Sequence, residues 1–191
     1  LFSERITPID QIDTIVSGAE TTKLTDEIAT KALTLVKNGN GTIPLDRTKR
    51  IAVLGISNGF DGPLTMASLN GSLRAAGVRF TPAYIQENST PEQVEAARQA
   101  VNGADVVVVG LYGRVRSGAK NSVGIPESGA AILRNLIAAN KTVIGISFGN
   151  PYVLGAFPEM DSYLVAYGDM PSLQRAAGRG NRSGSRNREA D

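Results

Sequence analysis

Short apolar runs alternate along this chain with stretches whose apolar residues recur every three or four positions. The runs are Ile51-Ala52-Val53-Leu54-Gly55, Val78 to Tyr84, Asp105-Val106-Val107-Val108-Val109-Gly110, Thr142-Val143-Ile144-Gly145-Ile146-Ser147 and Ser162-Tyr163-Leu164-Val165-Ala166-Tyr167. Continuous apolar character over so few residues predicts strands covered on both faces. Pro82 either demotes the second run to a sheet edge or cuts it short, because proline cannot donate to a central ladder. Between the runs, Leu69, Leu73 and Ala76 mark a helix stopped by Gly77, and Leu133, Leu136 and Ile137 mark another over Pro126 to Asn140. Thr90-Pro91-Glu92-Gln93 is the sharpest local signal, with an N-cap, a proline at the first helical position and a capping-box Gln. It opens a helix that buries Val94, Ala97 and Val101 and stops at Gly103. A short helix at Pro151–Phe157 and a last one from Pro171 to Ala177 complete the pattern.

Upstream, Leu24, Ile28, Ala32, Leu35 and Val36 fall on one helical face, with Thr25 as N-cap and Asn38-Gly39-Asn40-Gly41 as the stop. Leu1 to Thr22 carries scattered apolar residues without a sustained period. Strands alternating with helices, and no Asn-Gly hairpin between adjacent strands, predict a three-layer α/β/α sandwich with a mostly parallel sheet of about five strands. The Ile51, Asp105 and Thr142 strands, the most apolar, are expected at its centre. The chain divides into a lead-in over 1–23, an α/β domain over 24–178 and a basic tail over 179–191. The tail has no large apolar residue and is expected to be disordered. Tyr163 and Tyr167, four apart in the last strand, are expected on one buried face.

Composition narrows the chemistry. The 191 residues are 41% hydrophobic, enough for one globular domain. The absence of Cys excludes a disulfide framework, a thiol nucleophile and a thiolate zinc site. The absence of His removes the imidazole base and the Ser-His-Asp triad. No apolar run approaches the ~18–20 residues that span a bilayer, and Leu1-Phe2-Ser3-Glu4-Arg5 lacks the basic-then-apolar order of a signal peptide. The net charge of +2 is uneven: residues 174–191 carry +3 and the body −1, so no nucleic-acid face is expected. Asp10, Asp13 and Glu20 lack metal-loop spacing, and the glycines form no G-x-G-x-x-G, so neither a metal nor any other cofactor is expected.

Two pentapeptides match G-x-S-x-G, Gly55-Ile56-Ser57-Asn58-Gly59 and Gly145-Ile146-Ser147-Phe148-Gly149. Only the second leads quickly into a helix, which makes Ser147 the candidate nucleophile of an esterase-like hydrolase. A serine needs a base; without His the alternatives are Lys120 or Lys141, and the plainer reading is a tight turn after a strand. The loop Gly113–Gly124 leaves the carboxyl end of a strand, where open α/β sheets place ligands. Its Arg114, Arg116, Ser117, Lys120 and Asn121, with Asn150 after the next strand, are the candidate substrate-binding residues.

The order of these segments resembles the C-terminal domain of glycoside hydrolase family 3. The resemblance runs through Ala29-Thr30-Lys31-Ala32-Leu33-Thr34-Leu35-Val36-Lys37-Asn38, Ile43-Pro44-Leu45, Ile51 to Gly55, Ala104 to Gly110, Thr142 to Pro151, and Ala166-Tyr167-Gly168 with Gln174-Arg175-Ala176-Ala177, covering about residues 24–178. It implies a two-domain retaining glycosidase whose nucleophilic Asp sits on an N-terminal barrel, absent from this sequence, through which the domain meets its carbohydrate substrate. In the β-glucosidase branch a Glu acid/base follows the third strand. Here Leu111 to Ser122 contains neither Asp nor Glu, which is similar to the β-N-acetylglucosaminidase branch. The resemblance therefore implies no catalytic residue on this chain and no glycosidase activity by the chain alone. After Arg179 the sequence departs from the family, so a final strand is expected to be missing. Without a barrel to cover them, Ile6, Ile9, Ile12, Ile15 and Val16 are candidates for self-association through residues 1–20. A non-catalytic carbohydrate-binding or docking module is the remaining alternative.

Overall fold

The computed structural model describes residues 9–118 and 121–180 of the chain. The elements are α1 (Ile12–Val16), α2 (Ala19–Ala32), β1 (Thr34–Asn38), β2 (Ile51–Ser57), α3 (Ala67–Ala75), β3 (Phe80–Ile85), α4 (Pro91–Asn102), β4 (Val106–Tyr112), α5 (Glu127–Ala138), β5 (Thr142–Ser147), β6 (Ser162–Val165) and α6 (Pro171–Gly180). Short 3-10 segments at Gly62–Met66 and Pro151–Ala156 lead out of β2 and β5.

Among the described residues the sheet has six strands in the order β1-β6-β5-β4-β2-β3. Every pairing is parallel except β1 with β6. Alternation along each strand explains the continuous apolar runs. Ile51 and Val53 of β2, Val106 and Val108 of β4, and Ile144 and Ile146 of β5 pack with Leu69 and Leu73 of α3 and Leu173 and Ala177 of α6. Their neighbours Ala52 and Leu54, Val107 and Val109, and Val143 pack on the opposite face with Ala97 and Val101 of α4 and Leu133 and Leu136 of α5. Each strand thus feeds two cores, which needs apolar residues at every position.

The local signals have physical counterparts. Thr90 Oγ1 accepts from Gln93 N (3.3 Å) while Gln93 Oε1 accepts from Thr90 N (2.9 Å), closing the capping box of α4. Pro82 sits on β3, at the sheet edge.

Three expectations are corrected. The helix drawn from Leu24 to Val36 ends at Ala32, and Thr34–Asn38 is instead the sixth strand, antiparallel on β6. Its residues alternate exposed and half-buried, which suits a sheet edge. Leu24 and Ile28 are exposed, and Thr25 Oγ1 donates to Thr22 O inside α2 rather than capping it. Second, Tyr167 does not share a buried face with Tyr163. β6 ends at Val165, and Tyr167 adopts φ 62° with 59% of its surface exposed, while Tyr163 is fully buried. Third, α6 continues to Gly180, so residues 179 and 180 are helical. The rest of the expected tail, 181–191, lies outside the described residues, as do residues 1–8 of the lead-in.

Candidate functional site

The connections after β2, β4, β5 and β6 all leave the carboxyl end of the sheet, and one buried amide ties the first two together. Asn58, directly after β2, is fully buried. Its Nδ2 donates to Arg114 O and Asn121 O, both at 2.8 Å, and its Oδ1 accepts from Arg114 N at 3.0 Å. The connection after β4 is therefore clamped at both its stem and its return. Asn121 can close that return because it adopts φ 56°, a left-handed conformation Asn tolerates.

Arg114 lies between two carboxylates from distant connections. Its Nε donates to Asp169 Oδ2 at 2.5 Å and its Nη1 to Asp61 Oδ2. Partial burial works against the charge, but the Asp169 and Asp61 contacts outweigh it and raise the Arg114 pKa above its ordinary value. Arg116 donates to the Asn58 carbonyl and stands 4.5 Å over the Phe60 ring. Asn121 Nδ2 reaches the Glu87 carboxylate at 3.2 Å.

The connection after β5 packs beside this group. Asn150 N donates to Gly113 O (3.1 Å) and its Nδ2 to Val123 O (2.8 Å), while its Oδ1 caps the following 3-10 turn through Tyr152 N (3.0 Å). Ser147 is fully buried, and its hydroxyl donates to Asn150 O at 2.8 Å. Beneath them Tyr112 stacks on Phe148 with ring centroids 4.8 Å apart. Burial, reinforced by Tyr84 and Asp169, pushes the Tyr112 phenol far above its usual range and keeps it protonated.

Of the sequence-derived candidates, Arg114, Arg116, Asn121 and Asn150 come together, each held by the hydrogen bonds just described. Ser117 is exposed on the same connection, and Lys120 lies outside the described residues. Ser147 is turned into the fold, with its hydroxyl shaping a turn. Sequence reading missed Asn58, Asp61, Asp169 and Gln174. Buried Gln174 accepts from Leu69 N (3.1 Å) and donates to Thr65 O (2.9 Å) and Asp169 O (2.8 Å), fixing the stem that presents Asp169. Among the described residues no cluster of three or more His, Cys, Asp or Glu side chains could hold a metal ion, and no helix is long and apolar enough to cross a membrane.

Residues 33–174 match the family model described as the glycosyl hydrolase family 3 C-terminal domain. No curated protein matches significantly. Among solved structures, the chain is similar to a glycoside hydrolase family 3 β-N-acetylglucosaminidase from Paenibacillus sp. str. FPU-7, with a TM-score of 0.68 and 24% identity over 84% of this chain and 30% of that one. It is similar to the β-glucoside phosphorylase BglX bound to 2FGlc, with a TM-score of 0.71 and 21% identity over 96% of this chain and 33% of the other. A third is a β-glucosidase from Listeria innocua in complex with isofagomine, with a TM-score of 0.70 and 16% identity over 96% and 28%. At these identities the likeness is one of fold, and the chain spans about a third or less of each of these proteins.

Proposed function

The chain belongs to the glycosyl hydrolase family 3 C-terminal domain family, and from that premise we propose that it serves as the second domain of a two-domain glycoside hydrolase. Its carboxyl-end loops rest on a barrel domain and close one side of the sugar site. The observation that carries this reading is a group of exposed large apolar side chains on the carboxyl-end connections, apart from those on the lead-in, α2 and β1. Phe60 and Leu64 follow β2, Val115 and Val123 follow β4, Tyr152 follows β5, and Tyr167 and Met170 follow β6. Leu64, Val115 and Tyr152 are 81%, 77% and 85% exposed, an apolar surface that a partner domain would cover. Arg116, Ser117, Asn121 and Asn150 then face the sugar, and Arg114 fixes the stem of the loop that carries them.

The β-N-acetylglucosaminidase branch fits best. Residues 111–126 contain no Asp or Glu, while Asp61 and Asp169 are tied to Arg114. Retaining hydrolysis uses two carboxyl groups about 5–5.5 Å apart, and in this reading both the nucleophile and the proton-handling group sit on the barrel. The chain alone should leave p-nitrophenyl N-acetyl-β-glucosaminide intact. Fused behind a family barrel domain it should support turnover, and Arg116→Ala in that fusion should reduce it. Glycoside turnover by the chain alone, or ester turnover abolished by Ser147→Ala, would overturn the proposal.

A further inference from the structure

The amino end of the sheet carries a surface of opposite character. A cleft of about 470 Å³ opens there, walled by Lys49, Arg50 and Arg79 over a floor that includes Ile51, Phe80 and Ala104. A second concavity of about 390 Å³ adjoins it across Arg79 and Phe80 and adds Arg74. The Arg74 guanidinium stands 5.1 Å over the Phe80 ring. Among the described residues no carboxylate lines either hollow.

The negative groups nearby are already engaged. Asp105 receives Arg50 through three bonds, Nη2 at 2.7 Å and both Nε and the backbone N at 3.1 Å. The carbonyls of Asn102 and Ala104, at the end of α4, receive Lys141 Nζ at 3.1 and 2.8 Å. Asp46 accepts from the backbone and hydroxyl of Thr48, and Lys49 feels it only as a nearby charge. Arg79 has no side-chain partner among the described residues. Arg50 is thus neutralised by Asp105, while Lys49, Arg74 and Arg79 hold positive charge in a concave place with no ion-pair partner among the described residues, and an anion would supply the compensation.

We propose that this double cleft binds a small phosphorylated organic molecule. Its phosphate groups lie against Lys49, Arg79 and Arg74, and its planar or apolar body rests on Phe80. The volume falls in the range of small-molecule sites, arginine forks match phosphate oxygens, and the half-buried ring offers a flat apolar seat. A nucleic-acid strand would call for a basic groove with successive stacking residues; here the cations converge on a pair of hollows with one ring. The site lies at the opposite end of the sheet from the loops assigned above, and the inference does not depend on that assignment.

Amide chemical shifts of the full 191-residue chain, titrated separately with inorganic phosphate, pyrophosphate and phenyl phosphate, test the proposal. Saturable shifts are expected at Gly77, Phe80, Gly103 and Ala104, with phenyl phosphate binding more tightly than inorganic phosphate. The exposed-site double variant Lys49→Gln/Arg79→Gln should bind at least about tenfold more weakly while its other amide positions stay unchanged. Shifts reproduced by sodium chloride at matched ionic strength, or affinity retained in the double variant, would overturn the site. Equal affinity for phenyl phosphate and inorganic phosphate would overturn the organic ligand in favour of a free phosphate. A stronger response to a single-stranded oligonucleotide than to pyrophosphate would overturn the small-molecule assignment.

Discussion

At Gly149 the connection after β5 passes so close to Gly113 that an added Cβ would sit against the Gly113 carbonyl oxygen, well inside van der Waals contact. The obstacle is backbone, held on both sides by the Asn150 N to Gly113 O bond and by Phe148 N to Leu111 O at 2.9 Å. Gly149→Ala should therefore destabilise the fold by about 1–3 kcal/mol, as overpacking does. Gly155→Ala, with no neighbouring atom within 4 Å, should be near neutral. Urea unfolding of the two variants checks the contrast, and equal stability would contradict the crossing. The turn reading of Gly145-Ile146-Ser147-Phe148-Gly149 was legible because it needed only local geometry. The fate of Arg114 was not, since its partners Asp61 and Asp169 are 53 and 55 residues away in sequence. Nor was the burial of Asn58, which depends on two loops converging on one amide.

Among the elements, α4 was readable in full because a capping box is written in four adjacent residues. The segment from Thr34 to Asn38 was not, because its apolar positions fit a helical face as well as a strand, and only the open edge of β6 decides between them. β1 in turn limits its own outer edge through the irregular register between Leu35 and Lys37 and through Lys37, whose Nζ donates to Pro158 O at 2.9 Å. The helices α2 and α6 are joined by Asp26, which takes Arg175 at 2.6 Å and Arg179 at 3.3 Å. The Arg175 hydrogen bond lowers the Asp26 pKa against the opposing effect of burial. A carboxyl depressed in the folded state contributes stability that is fully present above its unfolded value of about 3.9 and is lost as pH falls through the folded value. Asp26→Asn should thus cost up to about 1 kcal/mol at neutral pH, the scale of partly exposed pairs, and the difference from the parent should shrink below about pH 4. Thermal unfolding at pH 7, 4 and 2.5 measures it; a pH-independent difference would contradict the pairing.

Over the whole molecule, the sheet separates an apolar end from a basic one. The alternation of strands and helices made the layered architecture legible, because parallel strands covered on both faces leave unbroken apolar runs. The polarity between the two ends was hidden, since its residues come from every connection in turn. The antiparallel placement of β1 has one more consequence. It returns the chain so that α2 lies against α6, with Asp26 touching the helix that ends at Gly180. Gly180 lies against Leu33, at the far end of α2 from Gly18, so the two ends of this helix pair are separated by roughly the 20 Å length of α2. A circular permutant that joins Gly180 to Gly18 through a flexible linker long enough to follow α2 back, roughly 20 Å, and opens between Arg116 and Ser117 at an exposed stretch of the β4 connection, should fold to the same cooperative transition, because no hydrogen-bonded ladder is interrupted. Loss of the folded circular-dichroism signal in that permutant would mean that the order of synthesis, and not the geometry of the finished sheet, selects this fold.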